Sequence, residues 1–139
     1  MTKHPKISIL IPTYNNGQTL SQVIDDVLEN FPSVIVVNDG STDCTGEILK
    51  NYEGKIELVE YKKNRGKGYA LSRGFDLAEQ LGYTHVITID SDGQHYASDI
   101  PLFLKAANEN PDKNKITVRN CHEWKHPRSA IYTGAFYIL

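Results

Sequence analysis

Cysteine is scarce in this chain, and its scarcity excludes two classes of small protein. The 139 residues include two cysteines, Cys44 and Cys121, which lie far apart and form no Cys-x-x-Cys pair. A disulfide scaffold and a four-cysteine zinc site both need more cysteines at closer spacing. We therefore expect the protein to work in a reducing compartment, the cytoplasm.

Long apolar runs and an excess of charge of one sign are also missing. No apolar stretch approaches the ~20 residues that cross a bilayer, and residues 1–6 do not resemble the apolar core of a signal peptide. The formal net charge of −2 argues against the broad basic face of a nucleic-acid-binding protein. With a hydrophobic fraction of 40%, the chain is expected to form one globular domain.

Apolar, β-branched runs of strand length alternate along the chain with segments of helical apolar spacing. Strands are predicted at residues 7–11, 34–37, 56–59, 86–89 and, more weakly, 116–118. Helices are predicted at residues 20–31, from a cap at Ser41 or Asp43 to Tyr52, from Gly66 to Gly82, and from a cap at Ser98 or Asp99 to Pro111. This alternation predicts an α/β fold with a mostly parallel sheet and helices on both faces.

Polar, glycine-bearing loops follow four of the predicted strands, at residues 12–15, 38–41, 63–68 and 90–95. In open sheets of this kind, ligands bind beyond the carboxyl ends of the strands. We therefore expect a functional site where these four loops meet.

Asp90 and Asp92 stand one residue apart at the end of a predicted buried strand. Two such carboxylates repel each other unless a cation or water separates them. A divalent ion such as Mg²⁺ or Mn²⁺, sharing its ligand shell with phosphate oxygens, would relieve the repulsion. Gln94 could add a carbonyl oxygen, and His95 is a further candidate neighbour. The alternative is an exposed Asp-Gly turn with no ligand.

The loop Asn-Arg-Gly-Lys-Gly at residues 64–68 has two interpretations. Gly66 and the glycine after Lys67 let backbone N–H groups approach an anion at a helix start, while Arg65 and Lys67 supply charge. Alternatively, the segment is a solvated helix start with two surface cations.

Asp39 also has two interpretations. It either caps the second helix, which is the commoner use of an aspartate at such a position, or accepts hydrogen bonds from a nucleobase or ribose.

Taken together, the segments "ISILIPTYNN", "VIVVNDGSTDCT", "NRGKGYALSRG" and "VITIDSDGQH" resemble the donor half of family 2 glycosyltransferases of the GT-A type. They occur in family order over residues 6–111. The last two segments are most similar to the polyprenyl-phosphate sugar transferase branch, which includes dolichyl-phosphate mannose synthases. The resemblance implies a GT-A, Rossmann-like nucleotide-diphospho-sugar transferase fold.

The resemblance also implies roles for individual residues, each carried over by its position in the matching segments. Residues Pro12, Tyr14 and Asn15 would line the nucleotide, Asp39 would contact the base, and Arg65, Gly66 and Lys67 would lie near the nucleotide and diphosphate. Asp90 would hold ribose and metal, with Asp92 and Gln94 as further metal ligands.

The implied reaction is metal-assisted, inverting transfer of a sugar from a UDP- or GDP-sugar to a glycan or a lipid phosphate, with Mg²⁺ or Mn²⁺ as the cofactor. A lipid-phosphate acceptor would bring the protein to the inner face of the membrane as a peripheral protein. No general base is identifiable. The alternatives are a nucleotide-sugar binding module or inactive truncated remnant and, less favoured, a haloacid-dehalogenase-like phosphatase suggested by Asp-Ser-Asp-Gly.

Two regions depart from the family pattern. Asn16 stands where many members carry an acidic residue. Residues 1–120 are predicted to form the donor-binding domain, whereas residues 121–139 show no acceptor-domain pattern, so a truncated or frame-altered chain is expected. Cys121, His122 and His126 match no standard zinc-site spacing.

Overall fold

The computed structural model describes residues 6–92, 100–109, 115–117 and 134–138, in which strands and helices alternate. The strands are β1 Ile7–Thr13, β2 Val34–Asp39, β3 Glu57–Tyr61, β4 His85–Ile89, β5 Lys115–Thr117 and β6 Gly134–Ile138. The helices are α1 Leu20–Asn30, α2 Thr45–Lys50, α3 Lys67–Gln80 and α4 Ile100–Glu109.

The strands form a six-stranded sheet in the order β3-β2-β1-β4-β6-β5. The first four strands are parallel, with Ile9 of β1 opposite Val34 of β2 and Ile87 of β4. Strand β6 runs antiparallel to both β4 and β5. The four parallel strands therefore bring their carboxyl ends, and the loops that follow them, to one edge of the sheet.

Alternating side chains of the central strands build one apolar layer on each face of the sheet. Ile9 and Ile11 of β1 are fully buried in a layer that includes residues of α1, α2 and α4. Leu10 faces the other way, into a layer with Ala70 and Ala78 of α3. The predicted α/β fold, mostly parallel and covered by helices on both faces, is confirmed.

The structure corrects several predicted element bounds. Helix α2 begins at Thr45 with Cys44 at the cap position, so the predicted cap at Ser41 is wrong and that at Asp43 is one residue early. The Asp43 carboxylate nonetheless accepts a hydrogen bond from the Thr45 N–H at 2.9 Å. The predicted caps of the fourth helix, Ser98 and Asp99, lie outside the described residues.

Strand β6 was not predicted, because residues 121–139 show no recognised pattern. Its residues Gly134–Ile138 nevertheless pair along the whole length of β4, with Ile138 opposite His85 and Gly134 opposite Ile89. This part of the chain therefore contributes a strand to the same sheet as the four predicted parallel strands.

A bilayer-spanning helix needs about 20 residues of predominantly apolar character. None of the helices in the described part of the chain meets that requirement.

Candidate functional site

A cavity of about 420 Å³ opens at the carboxyl ends of β1, β2 and β4, where the sequence predicted a site. This volume lies in the range of small-molecule binding sites. The lining residues come from the ends of β1 and β2, the loops after β1, β3 and β4, and the start of α3: Pro12, Thr13, Tyr14, Asn16, Asp39, Asn64, Gly66, Lys67, Ala70, Asp90, Ser91 and Asp92.

Most of the predicted site residues lie in this wall, namely Pro12, Tyr14, Asp39, Gly66, Lys67, Asp90 and Asp92. Asn15 and Arg65 do not. The Arg65 guanidinium lies 5.5 Å from the centre of the Tyr69 ring, a distance typical of a cation–π contact. Gln94 lies outside the described residues.

Asp39 is buried at the end of β2, and its carboxylate holds the loop before α3. One oxygen accepts the backbone N–H of Arg65 at 2.8 Å, and the other accepts the N–H of Gly66 at 3.0 Å and the side-chain amide of Asn64 at 2.9 Å. Asp39 therefore organises the start of α3, and the interpretation as a cap of α2 is wrong. The N–H groups of Arg65 and Gly66 therefore bind the carboxylate of Asp39, an anion within this chain.

Tyr61, at the end of β3, lies beside this carboxylate. The pKa of Tyr61 lies well above its usual value, mainly because the phenol is buried. The nearby negative charge of Asp39 raises this pKa further. The phenol therefore stays neutral across the physiological pH range, and it adds no negative charge near Asp39.

Asn15 connects the loop after β1 to the loop after β2. Its backbone is in the left-handed region, with φ of 52°, which asparagine tolerates better than most residues. Its side-chain oxygen accepts the Thr42 N–H at 2.8 Å and the Asp43 N–H at 3.3 Å, and its own N–H donates to the Ser41 hydroxyl at 3.0 Å. In this structure Asn15 fixes two loops together next to the cavity.

Asn16 and Thr19 hold the turn between Asp90 and Asp92. The Asn16 amide donates to the Ser91 hydroxyl at 2.7 Å, and the Thr19 hydroxyl donates to the Ser91 carbonyl at 2.6 Å. Ser91 is 2% exposed, so both hydrogen bonds lie at the buried middle of the acidic turn. The sequence carries no local signal for this contact, because Asn16 and Ser91 are 75 residues apart in the chain.

Lys67 and Asp90 face each other across the cavity wall. The Lys67 ammonium donates to one Asp90 carboxylate oxygen at 2.6 Å. The side chains remain 61% and 24% exposed, so this pair contributes little to folding stability. Asp92 is exposed on the same wall, and with the buried Asp39 the wall therefore combines one cation and three carboxylates.

The acidic turn has the chemistry of a hard divalent cation site. The described part of the chain contains no group of three His, Cys, Asp or Glu side chains able to hold a metal ion. Mg²⁺, however, is commonly bound by one or two carboxylates together with substrate phosphates and water. Asp90 and Asp92, which line a cavity open to a ligand, fit that arrangement.

Gly40, in the loop after β2, provides a test of how tightly this edge of the sheet is packed. Its φ is +67°, and a Cβ atom there would overlap the backbone of Lys63 and Asn64. We expect Gly40→Ala to lower the free energy of unfolding by about 2 kcal/mol, from backbone strain and from displacement of the loop.

The matched control for that substitution is Gly54→Ala. Gly54 has a similar φ of +82° but nothing near the added methyl group, so about 1 kcal/mol is expected from conformation alone. Urea denaturation of both variants measures the difference. Equal losses would show that the Gly40 loop is not closely packed against Lys63 and Asn64.

Comparison with known proteins identifies the family of this chain. The sequence profile described as "Glycosyl transferase family 2" matches residues 8–132. The chain belongs to this family, and the predicted family resemblance is confirmed. The match favours the glycosyltransferase interpretation over the phosphatase alternative.

Several relatives of this chain are named as sugar transferases or synthases, and two of them are named for dolichyl phosphate or polyprenol. A UDP-N-acetylglucosamine–dolichyl-phosphate N-acetylglucosaminyltransferase of Methanococcus voltae is 31% identical, with 71% of this chain and 46% of the relative covered. A polyprenol monophosphomannose synthase of Mycolicibacterium smegmatis is 30% identical, with 75% and 42% covered. The chain thus spans about half the length of the curated relatives it matches.

Solved structures show the same fold. Residues 1–349 of S. aureus TarS superpose with a TM-score of 0.70 at 20% identity, covering 96% of this chain and 47% of that one. The complex of the same protein with UDP-GlcNAc has a TM-score of 0.68 at 22% identity, covering 89% and 37%. The GT-A fold prediction is confirmed.

Proposed function

We propose that this chain binds a nucleotide-diphospho-sugar in the cavity at the edge of its sheet and takes part in transfer of the sugar to a lipid-phosphate acceptor. The observation that carries the proposal is the convergence of Lys67, Asp90 and Asp92 with the start of α3 around a cavity of about 420 Å³. Family membership supports it. The curated relatives named for dolichyl phosphate and polyprenol support the class of acceptor.

Within a wall that carries three carboxylates, the start of α3 is the part that suits a diphosphate. Lys67 is the first residue of α3, and the first N–H groups of a helix have no acceptor within the helix. The positive end of the helix dipole and an ammonium group therefore face the cavity together. Asp39 keeps this helix start in place through Arg65 and Gly66.

The nucleoside has candidate partners on the other side of the cavity. Tyr14 lines the cavity and is 45% exposed, so its ring is accessible to a base or ribose. Pro12 lines the same wall. For Asp39, the proposed contact with the base has to share a carboxylate that already accepts three hydrogen bonds. We infer that Asp39 acts on the nucleotide mainly by positioning the α3 loop.

Asp90 and Asp92 would hold the divalent ion, Mg²⁺ or Mn²⁺, with Gln94 as a further proposed ligand. When bound, such an ion offsets the negative charge that develops on the departing nucleoside diphosphate. Lys67 offsets the same charge as a hydrogen-bond donor. A lipid phosphate is already an anion near neutral pH, so it can attack the anomeric carbon, with inversion, without a general base. A peripheral position at the inner face of the membrane follows from that acceptor.

The experiment is an assay of nucleoside diphosphate release. The chain is incubated with UDP-GlcNAc or GDP-mannose and Mn²⁺, with and without a polyprenyl phosphate, and both the released nucleotide and the glycosylated lipid are measured. The proposal predicts release that depends on the lipid phosphate and yields the sugar-lipid product. Binding of the donor without release would instead identify a nucleotide-sugar binding module. Absence of donor binding would contradict the proposed function.

A further inference from the structure

The ion pair between Lys67 and Asp90 places a positive charge next to the proposed metal site. The Lys67 ammonium is 2.6 Å from an Asp90 carboxylate oxygen, and Asp90 is one of two carboxylates proposed to hold the ion. The pair lies in the cavity wall, accessible to a ligand. In the nucleotide-free protein, Lys67 therefore already offsets part of the negative charge that would attract a divalent cation.

A free metal ion that reaches Asp90 and Asp92 meets two obstacles. It has to share Asp90 with a positively charged group, and like charges at this separation repel each other. It also gains only two carboxylates from the described residues, since they contain no third acidic, His or Cys side chain grouped with these two. Binding of the ion alone is expected to be weak.

A nucleoside diphosphate changes this balance. Lys67 begins α3, where the N–H groups of Lys67, Gly68 and Tyr69 have no acceptor within the helix. The Gly66 N–H is already bonded to Asp39, and the Ala70 N–H to the Gly66 carbonyl at 3.0 Å. A diphosphate at this helix start gives Lys67 a partner of greater negative charge than Asp90. Lys67 can then pair with the phosphates, which leaves Asp90 available to the ion.

We propose that Lys67 is a specificity-determining residue that makes the site accept a divalent ion and a nucleoside diphosphate together and disfavours the ion alone. The inference rests on the proposed function, because it takes the nucleoside diphosphate as the ligand. Its consequence is a thermodynamic coupling between ion and nucleotide, and such couplings are typically about 5- to 150-fold in affinity.

The test is the affinity for Mn²⁺ alone, measured by calorimetry and by the electron paramagnetic resonance signal of free Mn²⁺. In Lys67→Met, we expect the nucleotide-free protein to bind Mn²⁺ about tenfold more tightly than the wild type. At saturating Mn²⁺, the same variant should bind UDP or GDP about tenfold more weakly. The increase in metal affinity distinguishes this role from a merely structural one, since damage to the site would weaken both ligands.

Two further variants serve as controls. Lys62→Met removes an exposed lysine from the same loop and should behave as the wild type. Lys67→Arg keeps the positive charge and should keep the weak binding of Mn²⁺ alone. Unchanged or weaker Mn²⁺ binding by Lys67→Met would overturn the inference. If Lys67→Met binds Mn²⁺ more tightly while the wild type binds neither UDP nor GDP, the pairing with Asp90 is supported and the proposed function is overturned.

Discussion

Asp39→Ala is expected to lower the free energy of unfolding by at least about 2 kcal/mol. The substitution removes a buried carboxylate that accepts the N–H groups of Arg65 and Gly66 and the amide of Asn64. Hydrogen bonds to charged groups contribute about 1.5–3 kcal/mol each, and these three are partly buried. Because the loop before α3 would lose its anchor, Lys67 should also be less well placed, and nucleotide affinity should fall with stability.

Urea denaturation and calorimetry with UDP and GDP measure the two effects. Asp76→Ala is the matched control, because Asp76 is an exposed aspartate of α3. Surface substitutions usually change stability by no more than about 0.5 kcal/mol. A loss in Asp39→Ala no larger than that in the control would show that these hydrogen bonds do not hold the start of α3.

Asp92→Ala is expected to abolish most of the metal dependence of nucleotide binding while leaving the fold intact. Asp92 is exposed at the cavity wall, so its removal should cost little stability. If Asp92 is a metal ligand, the affinity for UDP or GDP in Mn²⁺ should fall at least about tenfold, the lower end for loss of groups that support a metal site. Without Mn²⁺, the variant and the wild type should bind the nucleotide equally.

Calorimetry in Mn²⁺ and in EDTA gives the nucleotide affinity of the variant and of the wild type with and without the ion. Asp76→Ala again serves as the control for removal of one carboxylate. Equal Mn²⁺ dependence in Asp92→Ala and the wild type would remove Asp92 from the metal site and would assign the effect of Mn²⁺ to other residues.

Three of the four parallel strands, β1, β2 and β4, were predictable because their residues carry the signal for burial locally. All positions of β1, β2 and β4 are buried, which requires the continuous β-branched runs visible in the sequence. Strand β6 was missed for the opposite reason. Its five residues, Gly-Ala-Phe-Tyr-Ile, form a strand through pairing with β4, about 50 positions earlier. No local pattern in the sequence indicates that pairing.

The position of the site was predictable from the sequence, whereas the contacts within the site were not. The rule that ligands bind beyond the carboxyl ends of strands brought Tyr14, Asp39, Lys67 and Asp90 into one group before their distances were known. The bonds from Asp39 to the α3 loop and from Asn16 to Ser91 depend on chain segments that meet only after folding. Asn15 is an intermediate case. Asparagine tolerates a positive φ, but the sequence does not indicate which asparagine adopts one.

The central claim is that the cavity binds a nucleoside diphosphate with a divalent ion, and calorimetric titration of the wild type tests it most directly. UDP and GDP are each titrated with and without Mn²⁺, and the corresponding nucleoside monophosphates are titrated in Mn²⁺. The account predicts that UDP or GDP binds at least about tenfold more tightly with Mn²⁺ than without it, and more tightly than its monophosphate. Absence of binding, or equal affinity for all these ligands, would contradict the account.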